Sequence, residues 1–462
     1  MKKTIILLLL FYSRLLCAQD ISGDWSGQLT LGFNKLLIVF HIQHENSDYS
    51  ATMDSPNQGV KGIPVSSVQF IHPDFVLKIP NINAEYTGKM INDTLINGTF
   101  SQNGLSFELN LTKEERVLIR PQEPQPPYPY ISENVTFLNE KTGNSLAGTL
   151  TLPQSGSAFA AVILITGSGP QNRNEELMGH KPFLVIADYL TRNGIAVLRY
   201  DDRGTGESQG DFSTATTFDF AMDADAAFNY LKTRKEIDTE RIGLLGHSEG
   251  GIVAFILAAE NPEIAFVISL AGAGVRGNAL ILKQAESLFK SQGMPEEQWN
   301  ELQPVLRNRY NLLIQDKDRE EIKKELYADV LKQDTTNLYQ QDENMRKRID
   351  ADIEYMTSPW YINFMKYDPG VSLQQIKCPV FAINGEKDVQ VDAGINLTAI
   401  EDNIRSNGNA RVTIKKYPNL NHLFQHCNTC TVMEYGQLEE TISTEVLQDI
   451  KDWILTGVWK NS

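Results

Sequence analysis

The segment from Arg241 to Gly251 constrains the fold of this chain more than any other stretch. It reads as a buried strand that ends in a tight turn and opens directly into the apolar helix of residues 252–259. Ser248 occupies the apex of the turn, and Gly246 and Gly250 remove the Cβ atoms that would collide where strand and helix cross. The sequence therefore predicts a serine hydroxyl at the edge of a sheet, beside the N-terminus of a helix.

A serine in this context is typical of a nucleophile, because helix N–H groups and the positive end of the helix dipole lie where an oxyanion would form. A glycine-rich turn with a capping serine is the alternative. The strand, the Gly-X-Ser-X-Gly turn and the helix together resemble the α/β-hydrolase superfamily, in particular its serine esterase and serine aminopeptidase-like branch. The resemblance covers about Glu133 to Trp453 and implies a mostly parallel sheet with helices on both faces.

Two further side chains follow predicted strands of the same sheet. Asp388 lies in the turn after the strand of residues 379–384, and His422 lies in the loop after the last strand. The resemblance makes Asp388 the acid and His422 the general base of a catalytic triad, in the superfamily's order of serine, acid and histidine. Glu386 and Asp392 are the alternative acids. No cofactor is required for this chemistry.

The oxyanion hole is expected next to the exit of the buried strand at residues 160–165. Thr166-Gly167 stands where the superfamily usually carries a His-Gly element, so the match makes the backbone N–H groups of Ser168 and Glu249 the two donors. Gly169 is the alternative to Ser168. Ser168 itself lacks the strand-turn-helix context of a nucleophile.

A long helical and charged stretch, about residues 277–368, interrupts the alternation of strands and helices. It predicts a helical cap inserted between two sheet strands, whose inner surface would shape the substrate pocket. The aromatic segment Ser358–Tyr367, where the insert returns to the sheet, would either line that pocket or pack the cap against the rest of the domain.

The N-terminal residues have the pattern of a secretory signal peptide over residues 1–18. Lys2 and Lys3 precede an apolar run, and cleavage after Ala18 would leave Gln19 first. Lipid modification at Cys17 is the alternative. The sequence therefore predicts an exported protein, periplasmic or secreted, without an integral membrane segment in the mature chain.

Two segments separate the signal peptide from the hydrolase-like domain. Residues 19–115 alternate polar and apolar positions and contain the hairpin signal Asn103-Gly104, which predicts a β-rich accessory domain. Residues 116–132 are rich in proline and predict a stiff linker. The hydrolase-like domain would occupy residues 133–462.

Charge and cysteine content restrict the partners. A formal net charge of -16 argues against nucleic acid and anionic membrane surfaces. In an exported protein, the closely spaced Cys427 and Cys430 predict a local disulfide. Zinc held by these thiolates with His422 and His426 is the alternative, but it conflicts with a basic His422. Cys378 is expected to be a core thiol.

The sequence thus predicts a serine hydrolase that cleaves carboxylic esters of small or medium substrates through an acyl-enzyme. An aminopeptidase or amidase of the same fold is the second hypothesis. The third is a binding protein whose β domain carries the function and whose hydrolase domain is silent. No pattern in the sequence indicates an oligomeric state.

Overall fold

The computed structural model describes residues 21–31, 34–45, 48–113, 120–334 and 337–457. The chain divides into two compact units, Met1–Leu118 and Ile119–Ser462. The expected signal peptide, with the alternative lipid site at Cys17, lies outside the described residues. No helix among the described residues combines the length and apolar composition needed to cross a bilayer.

The described residues of the first unit form one antiparallel sheet of ten strands. The strands are Gly23–Leu31 (β1), Asn34–Glu45 (β2), Asp48–Ser55 (β3), Val60–Val65 (β4), Ser67–Ile71 (β5), Asp74–Ile79 (β6), Ala84–Asn92 (β7), Leu95–Gln102 (β8), Leu105–Glu108 (β9) and Leu111–Thr112 (β10). Their order is β4-β3-β2-β1-β10-β8-β7-β6-β5, and β9 pairs with β8. Trp25, Phe40, Phe75 and Tyr86 are buried in its core, as the alternation of apolar residues predicts.

The described part of the proline-rich segment packs against the second unit. The Arg120 guanidinium donates hydrogen bonds to the carbonyl oxygens of Gly436 at 2.8 Å and Leu438 at 2.7 Å. Glu123 forms an ion pair with Lys181 at 2.9 Å. Burial lowers the pKa of Arg120 to about 10. These residues are therefore part of the hydrolase unit rather than a free spacer.

The second unit is built on an eight-stranded sheet, counted over its described residues. Its strands are Ile131–Leu138 (β11), Ser145–Leu152 (β12), Phe159–Ile165 (β13), Ala196–Tyr200 (β14), Ile237–His247 (β15), Val267–Leu270 (β16), Val380–Gly385 (β17) and Val412–Tyr417 (β18). The order is β11-β12-β14-β13-β15-β16-β17-β18. Strand β12 pairs antiparallel with both β11 and β14, and the other five pairs are parallel.

The helices of this unit are Pro182–Arg192 (α1), Thr217–Lys232 (α2), Glu249–Glu260 (α3), Gly277–Ser291 (α4), Glu296–Leu313 (α5), Arg319–Gln333 (α6), Leu338–Gln341 (α7), Glu343–Met356 (α8), Pro359–Lys366 (α9), Pro369–Leu373 (α10), Ala393–Ser406 (α11), Val432–Tyr435 (α12) and Thr444–Thr456 (α13). Phe228 of α2 and Phe255 of α3 pack on one face of the sheet. Phe183 of α1 and Trp453 of α13 pack on the other. Covered on both faces, the parallel strands are almost continuously apolar.

Helices α4 to α9 form an insert between β16 and β17. A small core of its own holds it together, made by Leu313, Ile322, Leu326, Ile353 and Met365, each at most 2% exposed. The sheet order, the helices on both faces and this helical cap are those of the predicted α/β-hydrolase fold, and an all-β unit precedes it. The predicted fold class is therefore confirmed.

Candidate active site

Ser248 stands at the turn between β15 and α3 with φ 53° and ψ -117°, in the left-handed region that a non-glycine residue rarely adopts. Its N–H donates to the Leu270 carbonyl at 2.8 Å. The flanking glycines are needed for space: a Cβ on Gly246 would lie 2.0 Å from the Gly250 oxygen, and one on Gly250 would lie 2.1 Å from the Ile165 oxygen. The turn therefore has the sharp, tightly packed form that the sequence predicts.

The structure brings His422 and Asp388 together. The His422 Nδ1 atom lies 2.7 Å from Asp388 Oδ2, and both side chains are buried. The other oxygen, Oδ1, accepts the backbone N–H groups of Gln390 at 2.7 Å and Val391 at 2.8 Å, which fixes the carboxylate. The contact between His422 Nδ1 and Asp388 Oδ2 orients the imidazole, so that His422 Nε2 is the ring nitrogen available for proton transfer.

The two alternative acids have other positions. Asp392 accepts the N–H of Ile395 at 3.0 Å and caps α11. The Glu386 side chain is exposed. Asp388 is therefore the carboxylate that the structure pairs with His422.

The loop after β13 passes directly beside the nucleophile turn, because Ile165 of β13 is in register with Gly246 of β15. A Cβ on Gly167 would lie 3.3 Å from the Ser248 Cβ. Ser168, one residue further, lines the same cavity as Ser248. Glu249 is the first residue of α3. The two residues predicted to supply oxyanion donors thus flank Ser248 from two sides.

A buried pair of side chains, His247 and Glu175, links this loop to His422. His247 Nδ1 lies 2.8 Å from the Glu175 carboxylate, and Nε2 lies 3.1 Å from the backbone oxygen of His422. The same Glu175 oxygen accepts the Gly167 N–H at 2.9 Å. Burial acts to lower the pKa of His247, but the adjacent carboxylate outweighs burial, so the pKa is raised.

The role of Glu175 was missed from the sequence. It lies in a loop without a motif, and only its left-handed φ of 52° and its 1% exposure mark it in the structure. Its carboxylate accepts the Gly167 N–H and contacts the His247 ring, so it joins the loop after β13 to His247.

Three of the predicted site residues, Ser168, Ser248 and His422, line one cavity of about 450 Å³. His247 lines it as well. The cap contributes Leu280, Ile281, Tyr355, Trp360, Tyr361 and Phe364. The aromatic segment that returns from the cap therefore lines the cavity. It also packs, with Tyr361 and Met365 in the core of the cap and Phe364 in the core beside the sheet, so it has both of the roles considered from the sequence.

A disulfide between Cys427 and Cys430 closes the loop that follows His422. The Glu434 carboxylate holds this loop by accepting backbone N–H groups, from Thr429 at 2.9 Å and Cys430 at 2.7 Å. The loop leads into α12, whose Val432 and Tyr435 line the cavity.

The zinc alternative does not fit this arrangement. The two sulfurs are bonded to each other. The Nδ1 atom of His422 is taken by Asp388, and His426 Nδ1 lies 2.9 Å from Glu440. Cys378 remains a thiol that is half-buried against the core, and burial raises its pKa to about 12, which makes it unreactive.

Among known proteins of related sequence is the esterase EstD of Thermotoga maritima, 26% identical over 440 residues that cover 91% of this chain and 94% of EstD. The uncharacterised protein YfhR of Escherichia coli is 30% identical over 125 residues, which cover 27% of this chain and 41% of YfhR.

The solved structures that resemble this chain include those of two proteins from other organisms. That of the Pyrococcus furiosus esterase Pf2001 aligns over 72% of this chain and 94% of its own, with 17% identity and a TM-score of 0.43. That of Est1E from Butyrivibrio proteoclasticus with ferulic acid bound aligns over 70% and 98%, with 17% identity and a TM-score of 0.43.

The family model described as serine aminopeptidase, S33, matches residues 181–426, which is more than half of the chain. The matched residues include the nucleophile turn, the cap, Asp388 and His422. The chain therefore belongs to the serine aminopeptidase S33 family, within the α/β-hydrolase branch that the sequence predicted.

Proposed function

We propose that this protein is an exported serine hydrolase that cleaves carboxylic esters of small or medium substrates through Ser248, His422 and Asp388. The observation that carries the proposal is the 2.7 Å contact between buried His422 and Asp388, with His422 lining the same cavity as Ser248. Three side chains from three loops converge there, as nucleophilic catalysis by serine requires.

In the proposed mechanism, His422 Nε2 removes the Ser248 proton as the hydroxyl oxygen attacks the ester carbonyl. Asp388 holds the Nδ1–H tautomer and stabilises the imidazolium that forms. The imidazolium then gives its proton to the departing alcohol, which leaves an acyl group on Ser248. A water molecule, deprotonated by His422, attacks this acyl-enzyme and releases the acid.

The backbone N–H groups of Ser168 and Glu249 are the proposed oxyanion donors. Their positions on two sides of Ser248 support this role, and the Glu249 N–H also lies at the positive end of α3. The hydrogen bond from Gly167 N–H to Glu175 would hold the loop ready before substrate binds. Donors arranged in advance are effective because they do not reorganise during the reaction.

Ester cleavage is favoured over aminopeptidase activity by the cavity wall. A peptide with a free amino terminus needs a carboxylate to pair with its ammonium group. None of the described residues that line the cavity is an aspartate or glutamate. The full-length similarity to EstD, a protein named as an esterase, also supports ester cleavage. The family's name keeps aminopeptidase activity as the second candidate.

The test is kcat/KM measured for an aryl acetate and for an aminoacyl anilide with the same chromophore type. We expect the ester to be turned over and the anilide to react at least about 100-fold more slowly, since its free amino group finds no carboxylate in the cavity. Comparable cleavage of the anilide would contradict the ester assignment and support the aminopeptidase. Turnover of neither substrate would support a silent hydrolase domain.

Export is the second part of the proposal. The signal-peptide pattern of residues 1–18 supports it, and so does the Cys427–Cys430 disulfide, since disulfides persist in oxidising compartments. We expect a mature chain that starts at Gln19. We also expect its mass to increase on reduction by the two hydrogen atoms of the thiols that form. Intact-mass measurement before and after reduction checks both points. An uncleaved N-terminus, a lipid mass at Cys17 or free thiols would each contradict the corresponding part.

A further inference from the structure

The cap side of the cavity is a continuous aromatic wall. Trp360 and Phe364, one helical turn apart on α9, stack with ring centroids 5.3 Å apart and planes inclined by 24°. Tyr361 meets the Trp360 ring edge-on at 5.8 Å, and Tyr355 of α8 lies 5.2 Å from Tyr361. All four rings line the cavity. Such a surface offers flat faces and ring edges to a planar group of a ligand.

A buried carboxylate fixes the orientation of this wall. The Trp360 indole N–H donates to both carboxylate oxygens of Glu249, at 2.9 and 3.1 Å. The Thr217 hydroxyl donates to the same carboxylate at 2.7 Å. Glu249 is only 3% exposed and does not line the cavity. The indole therefore both shields the carboxylate from the cavity and is held in place by it.

The cavity surface carries no unpaired charge. Among the described residues that line it there is no aspartate, glutamate, lysine or arginine. Its neutral polar side chains include the amides of Gln171, Gln284 and Gln390 and the hydroxyl groups of a serine and three tyrosines, Ser168, Tyr355, Tyr361 and Tyr435. His247 also lines the cavity, but its ring is paired with Glu175 at 2.8 Å. A charged ligand group would lose its hydration here without gaining a counter-ion, whereas neutral oxygens could accept hydrogen bonds from the amides.

From this wall and this lack of counter-ions we infer that the cavity selects uncharged esters that carry an aromatic or conjugated planar group, laid against Trp360. That the ligand is an ester cleaved at Ser248 rests on the proposed function. The preference for an uncharged planar group rests only on the residues that line the cavity. A volume of about 450 Å³ suits a ligand of small-drug size, which leaves room for one ring and a short chain on either side of the ester.

The first experiment measures binding to the Ser248→Ala protein by calorimetry, so that turnover does not interfere. The probes are methyl 3-phenylpropanoate, its cyclohexyl counterpart, and phenyl versions with a para carboxylate or a para trimethylammonium group. We expect the neutral aromatic ester to bind at least about tenfold more tightly than the carboxylate probe, because that charge would be buried unpaired. It should also bind more tightly than the trimethylammonium probe, by a smaller factor, since the ring faces attract a cation and offset part of its lost hydration. Equal or tighter binding of a charged probe, or of the cyclohexyl ester, would overturn the inference.

The second experiment tests the shielding of Glu249. Trp360→Phe keeps a flat ring but removes the N–H, so it leaves the carboxylate less covered. Burial raises the pKa of Glu249, so the probes are compared at a pH high enough for its carboxylate to be ionised. We expect the discrimination against the trimethylammonium probe to fall several-fold in this variant, and to return when Glu249→Gln is added, because the amide carries no charge. The carboxylate probe should show no such gain. Discrimination that is unchanged in Trp360→Phe, or unchanged by the added Glu249→Gln, would overturn this part.

The two proposals fail in different ways. If the neutral aromatic ester binds Ser248→Ala but the wild type does not hydrolyse it or any other ester, the proposed reaction is wrong and the inference about the cavity stands. If the wild type hydrolyses esters but prefers charged ones, the inference is wrong and the proposed reaction stands. The first experiment uses only the Ser248→Ala protein. Its result therefore remains informative even if the Trp360→Phe variant does not fold.

Discussion

Replacement of Ser248 by alanine is expected to lower kcat/KM for an aryl ester by roughly 10⁴-fold or more. The alanine leaves the backbone turn and the oxyanion donors in place but removes the oxygen that forms the acyl-enzyme. The melting temperature should change little, since the hydroxyl lies at the cavity rather than in the packed core. The measurement is steady-state hydrolysis of the ester by purified wild type and variant, with thermal denaturation of both.

A matched control is Ser406→Ala. Ser406 is exposed near the end of α11 and donates only to the Asn403 carbonyl, at 2.7 Å. The Ser406→Ala substitution should leave both kcat/KM and labelling by a serine-directed fluorophosphonate unchanged. Ser248→Ala should abolish the labelling. Ester hydrolysis that survives Ser248→Ala would show that another group is the nucleophile.

Replacement of Gly250 by alanine is expected to destabilise the hydrolase unit by about 3 kcal/mol or more. The added Cβ would lie 2.1 Å from the Ile165 oxygen and 2.6 Å from the Thr166 oxygen, and both are backbone atoms that no rotamer change can move. To relieve the clash, α3 must shift away from β13, which carries the oxyanion loop. Protein that still folds should therefore also lose most of its esterase activity. Thermal and urea denaturation, with kcat/KM, measure the two effects.

Gly394→Ala is the control for this prediction. Gly394 lies in the first turn of α11, where the nearest atom to an added Cβ is a side-chain oxygen of Asp392 at 3.2 Å. Since alanine is a better helix former than glycine, the free energy of unfolding should change by no more than about 1 kcal/mol. If the Gly250→Ala protein were as stable as the Gly394→Ala protein, the prediction that α3 approaches β13 too closely for a Cβ at position 250 would be wrong.

The convergence of the three proposed catalytic residues follows from strand order, and this is why the sequence could anticipate it. Ser248 follows β15, Asp388 follows β17 and His422 follows β18, and parallel strands bring their carboxyl ends to one edge of the sheet. Each residue stands next to a local pattern, namely an apolar strand followed by a turn. The cap was equally visible, because a long charged helical stretch interrupts an alternating one.

The residues that support the site left no such local pattern. Glu175 is 72 positions from His247, Trp360 is 111 positions from Glu249, and Arg120 is 318 positions from Leu438. Each contact joins segments whose meeting depends on how the whole unit packs. A glutamate in a loop or an arginine before a proline-rich stretch reads in the sequence as an ordinary surface residue.

The sequence by itself determined the fold class and the positions where a nucleophile, an acid and a base would stand, because strand-turn-helix patterns and strand order are local properties of the chain. Only the tertiary structure decided what the cavity can hold. The aromatic wall, the shielded Glu249 and the absence of a free charge among the described lining residues depend on burial and on partners brought from distant segments, and these determine the cost of placing a charge there.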